Sequence, residues 1–449
     1  MGVKEIIKSN NKLYSSIDKV RNRIPKKIMY SHRYFEVTNL LKMQDNGIEI
    51  EEILNDKLSN ILKNAIKNVP YYRNLNLNIK PNDINKNNAK EILNMFPYLN
   101  KKTVMDNNKA FISEMYNKKE LRYKTNGGST GQYVGTWSSK EETEIEKAFF
   151  DYNWSKTGYK PYSKIVKMNY EGIKKEFENP CSYHGDKIRI SLNHLNENWI
   201  GEIFNKIKEF KPEFFHVYPL SFQYLLQYME SNNLRIKGVK GIFLASEIVT
   251  ESILSLSKSV FKDVPIIFHY GLTERSNLAW GMLQNDKISY KCEKIYSYNE
   301  NFVTEDNFYE IVGTSYWNYA MPLIRYKTQD IGEIEDNIIT SLEGRNQGLL
   351  ITKQGHKVHG LSLIIDEFNW NYVENFQLVQ NEIGKVEFHV EPKSTLNSDI
   401  KEKILDSLKA KARERFDIEI VTDDKILKTK SGKAILVVNN IRHKALSKK

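Results

Sequence analysis

Cysteine is nearly absent: the chain of 449 residues has two, Cys181 and Cys292, far apart and outside any Cys-x-x-Cys pair. Neither a disulfide framework nor a zinc cluster is expected from them. Long hydrophobic runs are missing too. No stretch approaches the ~18 apolar residues that a membrane-spanning helix needs, and residues 1–16 lack the unbroken apolar core of a secretory signal. A cytoplasmic location is therefore expected. No nucleic-acid-binding motif occurs, and the net charge of +11 comes from basic residues scattered among abundant Lys, Asn and Ile. Without a basic stripe, no nucleic-acid partner is expected. Internal repeats and low-complexity linkers are lacking as well.

The chain is long enough for two domains, or one large and one small, with a substantial core. Its 40% hydrophobic and 12% aromatic content excludes general disorder. The densest basic stretches are residues 1–33 and the closing Arg442 to Lys449. The first reads as a helix packed on the body. Peripheral contact with anionic lipid through Ile6, Ile7, Leu13, Ile17 and Val20 is the alternative.

One stretch organises the rest: Tyr123-Lys124-Thr125-Asn126-Gly127-Gly128-Ser129-Thr130-Gly131-Gln132. Glycines let a loop turn its backbone N–H groups inward, and convergent N–H groups form an anion cradle. Ser129 and Thr130 add hydroxyl donors, and Lys124 adds charge. A Gly/Ser/Thr cluster is more often an ordinary surface loop, and this one is not a Walker A loop, because no Gly-Lys-Ser/Thr ending follows. Ser139 with Glu142 forms a capping-box pair, and Ile145, Ala148, Phe149 and Tyr152 recur at helical spacing, so a helix follows the loop.

Residues 34–69 read as helical, with Leu58, Ile61, Leu62, Ala65 and Ile66 on one face and an end at Val69-Pro70. Residues 164–169 read as a strand, Trp199–Phe210 and Phe222–Met229 as helices. Two apolar runs, Gly241–Ala245 and Val264–Phe268, stop at Ser246-Glu247 and at His269-Tyr270-Gly271-Leu272-Thr273-Glu274. Short apolar strands between amphipathic helices indicate a buried parallel sheet, in which ligands bind at the carboxyl ends of strands. Both runs carry an acid just past such an end. Residues 302–340 change to antiparallel character and read as a small β-subdomain. Beyond Gly344-Arg345, strands at Lys385–Val390, Ile418–Val421 and Ala434–Val438 with a helix at Ile400–Phe416 make a compact α+β unit. The expected fold is α/β: a large N-terminal domain (1–343) of parallel and mixed sheets with helices and a small β-subdomain, then a small mobile α+β C-terminal domain (344–449), hinged near 343–344.

Taken together, the loop at 125–131, Tyr270-Gly271-Leu272-Thr273-Glu274, Pro322 through Gly332, Gly344-Arg345 and Lys430-Ser431-Gly432-Lys433 resemble, in order and spacing, the adenylate-forming enzymes: the acyl-CoA synthetase and adenylation superfamily. The likeness covers roughly residues 55–440. It is closer to phenylacetate–CoA ligase and its relatives associated with capsular polysaccharide biosynthesis. Leu62 to Arg73, Phe96-Pro97, Pro212-Glu213, Tyr218-Pro219 and Phe243 to Glu247 resemble the N-terminal and middle parts of that subgroup.

The resemblance implies an AMP-forming ligase that joins a small carboxylic acid to ATP with Mg2+, then passes the acyl group to a thiol such as coenzyme A. An amide ligase with an amine or amino-sugar acceptor is the first alternative, and a non-catalytic nucleotide-binding scaffold the second. It further implies that Thr125, Asn126, Gly127, Gly128, Ser129, Thr130 and Gly131 hold phosphates. Glu274 helps bind magnesium and serves the reaction. Tyr270 lies against adenine with Ser246, Glu247, Gly271 and Thr273 nearby, Asp330 accepts from the ribose, and Arg345 contacts ribose or phosphate. Lys433 reaches the reacting carboxylate and α-phosphate. Taken singly, Glu274 would be a solvated strand-end acid, Asp330 a turn residue and Lys433 a surface lysine. His184, His216 and His269 read as structural or pocket-lining, and Cys181 as inert. The acid's pocket is expected near Tyr170–His184, Tyr218 and Trp280. Some positions depart from the pattern: Tyr133 for a proline, Gln329 for a glycine, and Asn346-Gln347-Gly348 at the hinge. The segment from Ile351 to Val358 lacks the usual Arg-Gly pair, which leaves the acceptor open.

Overall fold

A computed structural model describes residues 20, 23–125, 134–168, 180–191, 194–195, 198–247, 249–284, 287–304, 309–342, 349–355, 357–359, 363, 372–392, 396–422, 426 and 437–441. Residues 126–133, Arg345 and Lys433 lie outside this set.

After a short helix at Lys26–Met29 come two longer ones, His32–Asp45 and Glu51–Asn68. The single helix expected over 34–69 is therefore broken, because Gly47 takes a left-handed φ of 70° in the turn between them. Leu58, Ile61, Leu62 and Ala65 are buried as their spacing requires. Pro70 ends that helix and then opens a short one, Pro70–Arg73, where its missing N–H costs nothing.

Strands β1 (Arg122–Thr125) and β2 (Gly135–Ser138) pair antiparallel, bringing Thr125 opposite Gly135. Gly135 is needed there, since a Cβ would fall 1.8 Å from the Tyr123 hydroxyl. The next strands are β3 (Ile165–Met168), β4 (Cys181–His184), β5 (Lys187–Ile190), β6 (Phe214–Val217), β7 (Gly241–Leu244) and β8 (Ile266–Gly271). After them come β9 (Leu278–Gln284), β10 (Lys287–Cys292), β11 (Ser297–Val303), β12 (Tyr309–Ser315), β13 (Tyr326–Glu335) and β14 (Ile338–Leu342). They form one sheet of 12 strands, ordered β11-β12-β13-β14-β10-β9-β8-β7-β6-β3-β5-β4. The block β5-β3-β6-β7-β8 is parallel. From β8 onward every pairing is antiparallel, so the β-rich stretch near 302–340 continues the parallel sheet edge to edge.

Crossover helices Ile200–Phe210, Pro219–Ser231 and Glu251–Phe261 cover one face of the parallel block. The helix Lys140–Ser155 lies against the other. Alternation along β7 shows the split: Ile242 and Leu244 join the core beneath the crossover helices, while Phe243 stacks on Trp154 of the opposite helix. Helix Lys140–Ser155 starts at the expected capping box, with Glu142 N donating to Ser139 Oγ at 3.1 Å and Ser139 N to Glu142 Oε2 at 2.8 Å.

The C-terminal unit has its own core of Phe376, Leu378, Val386, Phe388, Ile404, Leu408 and neighbours. A small hairpin of β15 (Leu349–Ile351) and β16 (Lys357–His359) precedes β17 (Val373–Glu382), β18 (Lys385–Pro392), β19 (Asp417–Thr422) and β20 (Val437–Asn439). The last four form a sheet ordered β19-β18-β17-β20, and helix Ser398–Ala412 connects parallel strands β18 and β19. Gln380 ties the hairpin on, giving and taking a hydrogen bond with the Ile351 backbone at 2.7 and 2.6 Å. Strand β17 escaped the sequence reading, although Val373, Phe376 and Leu378 carry an apolar pattern.

Candidate functional site

Strand β8 runs further than its apolar run suggests, through His269, Tyr270 and Gly271. All three pair with β9 and are therefore held in sheet register. Tyr270 leaves this strand end and donates its hydroxyl to Asp330 Oδ2 at 2.9 Å. Four residues past Tyr270, Glu274 is 2% exposed, and its Oε1 accepts from the Tyr326 hydroxyl at 3.0 Å. Tyr326 in turn stands four residues before Asp330 on β13. The segments 270–274 and 326–330 are thus cross-linked at both ends, carboxylate to phenol each time, in opposite sense.

The backbone around these links is constrained. Thr328 Oγ1 donates to Ile311 O at 2.8 Å and accepts from Asp330 N at 3.0 Å, which fixes the carboxylate that the sequence singles out. Gln329 has a φ of 65°, a left-handed conformation that favours glycine, and its N–H donates to Glu310 Oε1 at 2.6 Å. The residue that replaces the usual glycine therefore keeps the glycine's geometry, at a cost of about 1 kcal/mol or more. Ser246, Arg275 and Arg325 also have positive φ, at 69°, 57° and 51°. Such outliers persist only where surrounding contacts over-determine them.

A third segment serves both halves. Asn318 Nδ2 donates to the carbonyls of Glu274 and Arg275 at 3.2 and 3.3 Å. Two residues on, Ala320 N donates to Glu142 Oε1 at 2.7 Å, and Trp137 N donates to Met321 Sδ at 3.4 Å. The strand and the helix that flank residues 126–133 therefore rest on the same short stretch that holds Glu274. Arg275 is buried with Nε 3.7 Å from Glu146 Oε2, and its Nη1 has no hydrogen-bond partner among the described residues. Burial pushes the Glu142 carboxyl up to about 7, although the Ala320 and Ser139 amides and the nearby Arg275 charge pull the other way.

Other predicted residues lie at or just past strand ends. Ser246 and Glu247 follow β7, the first exposed and the second half-buried. Gly271 and Thr273 are exposed beside the Tyr270 strand end, and Thr125 is exposed at the end of β1. Asn126, Gly127, Gly128, Ser129, Thr130, Gly131, Arg345 and Lys433 lie outside the described residues. Both cysteines are buried, and burial pushes each thiol up to about 12, far from a reactive thiolate.

Sequence reading did not single out Tyr326, Asn318 or Arg325 for a task. Arg325 is a clamp: it meets Glu300 at 2.8 Å, stacks 3.9 Å over Tyr98 and donates to Phe96 O at 3.1 Å, locking the Phe96-Pro97 segment to β13. For Tyr326 and Arg325, the place inside the Pro322–Gly332 motif was a signal; Asn318 stands just before it. Which carbonyl or carboxylate each one meets was not.

Comparison with solved structures identifies the fold as that of adenylate-forming ligases. 2-Hydroxyisobutyryl-CoA ligase, in its thioesterification state with 2-HIB-AMP and CoA, is similar with a TM-score of 0.55 at 12% identity, covering 89% of this chain and 92% of that one. Its postadenylation state with R3-HIB-AMP is similar with a TM-score of 0.50 at 14% identity, covering 88% and 90%. In sequence, the chain is 23% identical to Protein CapK of Staphylococcus aureus over 94% of this chain and 96% of that protein. Residues 350–440 match the CapK C-terminal domain family. Among the described residues, no helix is long and apolar enough to cross a membrane.

Proposed function

We propose that the protein is an ATP-dependent, AMP-forming ligase that activates a carboxylic acid as its acyl-adenylate. The observation that carries this is the double cross-link between 270–274 and 326–330, on a fold of adenylate-forming ligases. It supports the roles that the sequence motifs imply. Tyr270 offers an aromatic face for adenine while its hydroxyl holds Asp330 toward the ribose. A carboxylate suits two vicinal hydroxyls because it only accepts.

Bringing a carboxylate anion against a triphosphate needs charge neutralisation and in-line placement. Residues 125–131 would cradle phosphate, and Arg345 would contact ribose or phosphate. Glu274 fits a magnesium site: Mg2+ takes one or two protein carboxylates and completes its shell with phosphate oxygens and water. Among the described residues no cluster of three or more acidic, His or Cys groups is placed to hold a metal ion. Bound there, magnesium would neutralise charge on the phosphates; Tyr326 keeps one Glu274 oxygen engaged and orients the other. Lys433, from the small domain (344–449), would reach the reacting oxygens, and rotation about the hinge would withdraw it for acyl transfer.

The acceptor in this reading is a thiol such as coenzyme A, with an amine or amino sugar as the alternative. Likeness to CapK supports a role in capsule or surface-polysaccharide biosynthesis. A cytoplasmic location completes the reading. Isotope exchange between pyrophosphate and ATP, measured across a panel of acids, tests the first step. Acid-dependent exchange is expected; its absence with every acid would leave a nucleotide-binding scaffold. Mass analysis of the product then separates thioester from amide.

A further inference from the structure

Between helix Lys140–Ser155 and the sheet lies a box of rings. Phe150 meets His269 at 4.8 Å and Trp280 at 5.6 Å between centroids. One helical turn further, Trp154 stacks flat on Phe243 at 4.3 Å and meets the His216 ring edge-on at 5.0 Å. Trp280 is fixed from behind, its Nε1 donating to the buried Glu293 Oε2 at 3.1 Å. The box begins next to the nucleotide end of the sheet, since His269 directly precedes Tyr270. Its Trp154 level lies deeper by about 6 Å, the rise of four helical residues.

Two polar atoms in this apolar enclosure are buried and have no hydrogen-bond partner among the described residues: Trp154 Nε1 and His216 Nδ1. Their rings are neighbours, with centroids 5.0 Å apart. Buried polar groups are ordinarily paired, and an unpaired one costs about as much as a lost hydrogen bond. The indole N–H only donates. Burial, with Lys167 and His269 nearby, holds the His216 pKa well below its ordinary value, so the imidazole is neutral and Nδ1 donates or accepts by tautomer. An apolar partner would leave both atoms unpaired; an oxygen would satisfy both.

Resting on the ligase reading above, we propose that Trp154 and His216 read a hydroxyl or carbonyl oxygen at the far end of the acid. The substrate class is then carboxylic acids carrying such an oxygen remote from the reacting carboxylate. Trp154 Nε1–H donates to that oxygen, and His216 Nδ1 accepts from a hydroxyl or donates to a carbonyl. Phe150 and Trp280, one helical turn nearer the nucleotide end, flank the carbon frame.

The test compares matched acids in which a distal hydroxyl is replaced by a methyl of similar size, aromatic and short-chain pairs alike, by pyrophosphate–ATP exchange. In the wild-type protein the best hydroxylated acid should exceed its methyl partner in kcat/KM by about 10- to 100-fold, because the methyl leaves a buried donor unpaired. Trp154→Phe and His216→Leu, checked for folding by thermal melting, should each bring that ratio toward one, mainly through KM for the hydroxylated acid. Exchange in the wild type without any such preference would overturn the proposal and mean that an internal water satisfies the pair. A preference that survives both substitutions would overturn it too. Absence of exchange with every acid would instead overturn the ligase reading and this inference with it. The wild-type ratio decides the matter even if one variant does not fold.

Discussion

The hydroxyl of Tyr270 donates to Asp330 Oδ2 at 2.9 Å across 60 residues of chain. The aromatic face and the carboxylate proposed for adenine and ribose therefore form one unit, and changing either disturbs both. Tyr270→Phe keeps the ring but takes one donor from the Asp330 carboxylate, so KM for ATP should rise about tenfold with a smaller change in kcat. Asp330→Asn should raise it further. A Tyr270→Phe protein with wild-type ATP affinity would show that the hydroxyl orients nothing.

Glu274 and Tyr326 set the metal response. Glu274→Gln should weaken adenylation and shift its magnesium dependence to higher concentration. Tyr326→Phe removes only the donor at 3.0 Å and should shift the same curve in the same direction, by about tenfold in activity. Magnesium titrations of exchange rate check both; unchanged curves would remove Glu274 from the metal site.

Glu142 makes stability depend on pH. Its carboxyl sits at about 7 in the folded protein against an ordinary value of 4.5, chiefly because it is buried. The folded state keeps a proton that the unfolded chain has released, so the stabilising contribution is complete below the unfolded value. It is lost as pH rises toward the folded one, by an amount on the order of 3 kcal/mol. Glu142→Gln abolishes this titration at the cost of one backbone contact. Melting temperatures at about pH 5 and pH 8 should show the gap between wild type and variant narrowing at the higher pH. A constant gap would mean that Glu142 does not titrate in this range.

Lys433 carries the sharpest expectation about catalysis. As a point charge on a flexible stem it suits charge that develops in the transition state. Lys433→Ala should slow adenylate formation by roughly 10²–10³, with ATP affinity little changed and Lys430→Ala mattering far less. Supplied acyl-adenylate should still react with the acceptor. Equal losses in the two half-reactions would point to a different lysine or a different mechanism.

Much of this protein is written in short-range signals. The Ser139–Glu142 capping box, the helical face through Leu58, Ile61, Leu62 and Ala65, and the apolar runs at 241–245 and 264–268 each depend on residues a few positions apart. For that reason they can be read from the chain without knowing what they touch. Tyr270, Glu274 and Asp330 were legible as motif members in the same way. Tertiary structure decided what binds them together: the contacts 270–330, 274–326 and 318–274 exist only because β8 and β13 share one mixed sheet and the loop at 316–321, between β12 and β13, packs against the turn after β8. Strand pairing is chosen by the total burial of many side chains, not by any local pattern. The same holds for Gln329, whose left-handed backbone is imposed by its neighbours on β12 and β13. It holds too for Trp154 and His216, ordinary core residues by composition until the fold brings together two rings whose buried nitrogens have no hydrogen-bond partner among the described residues.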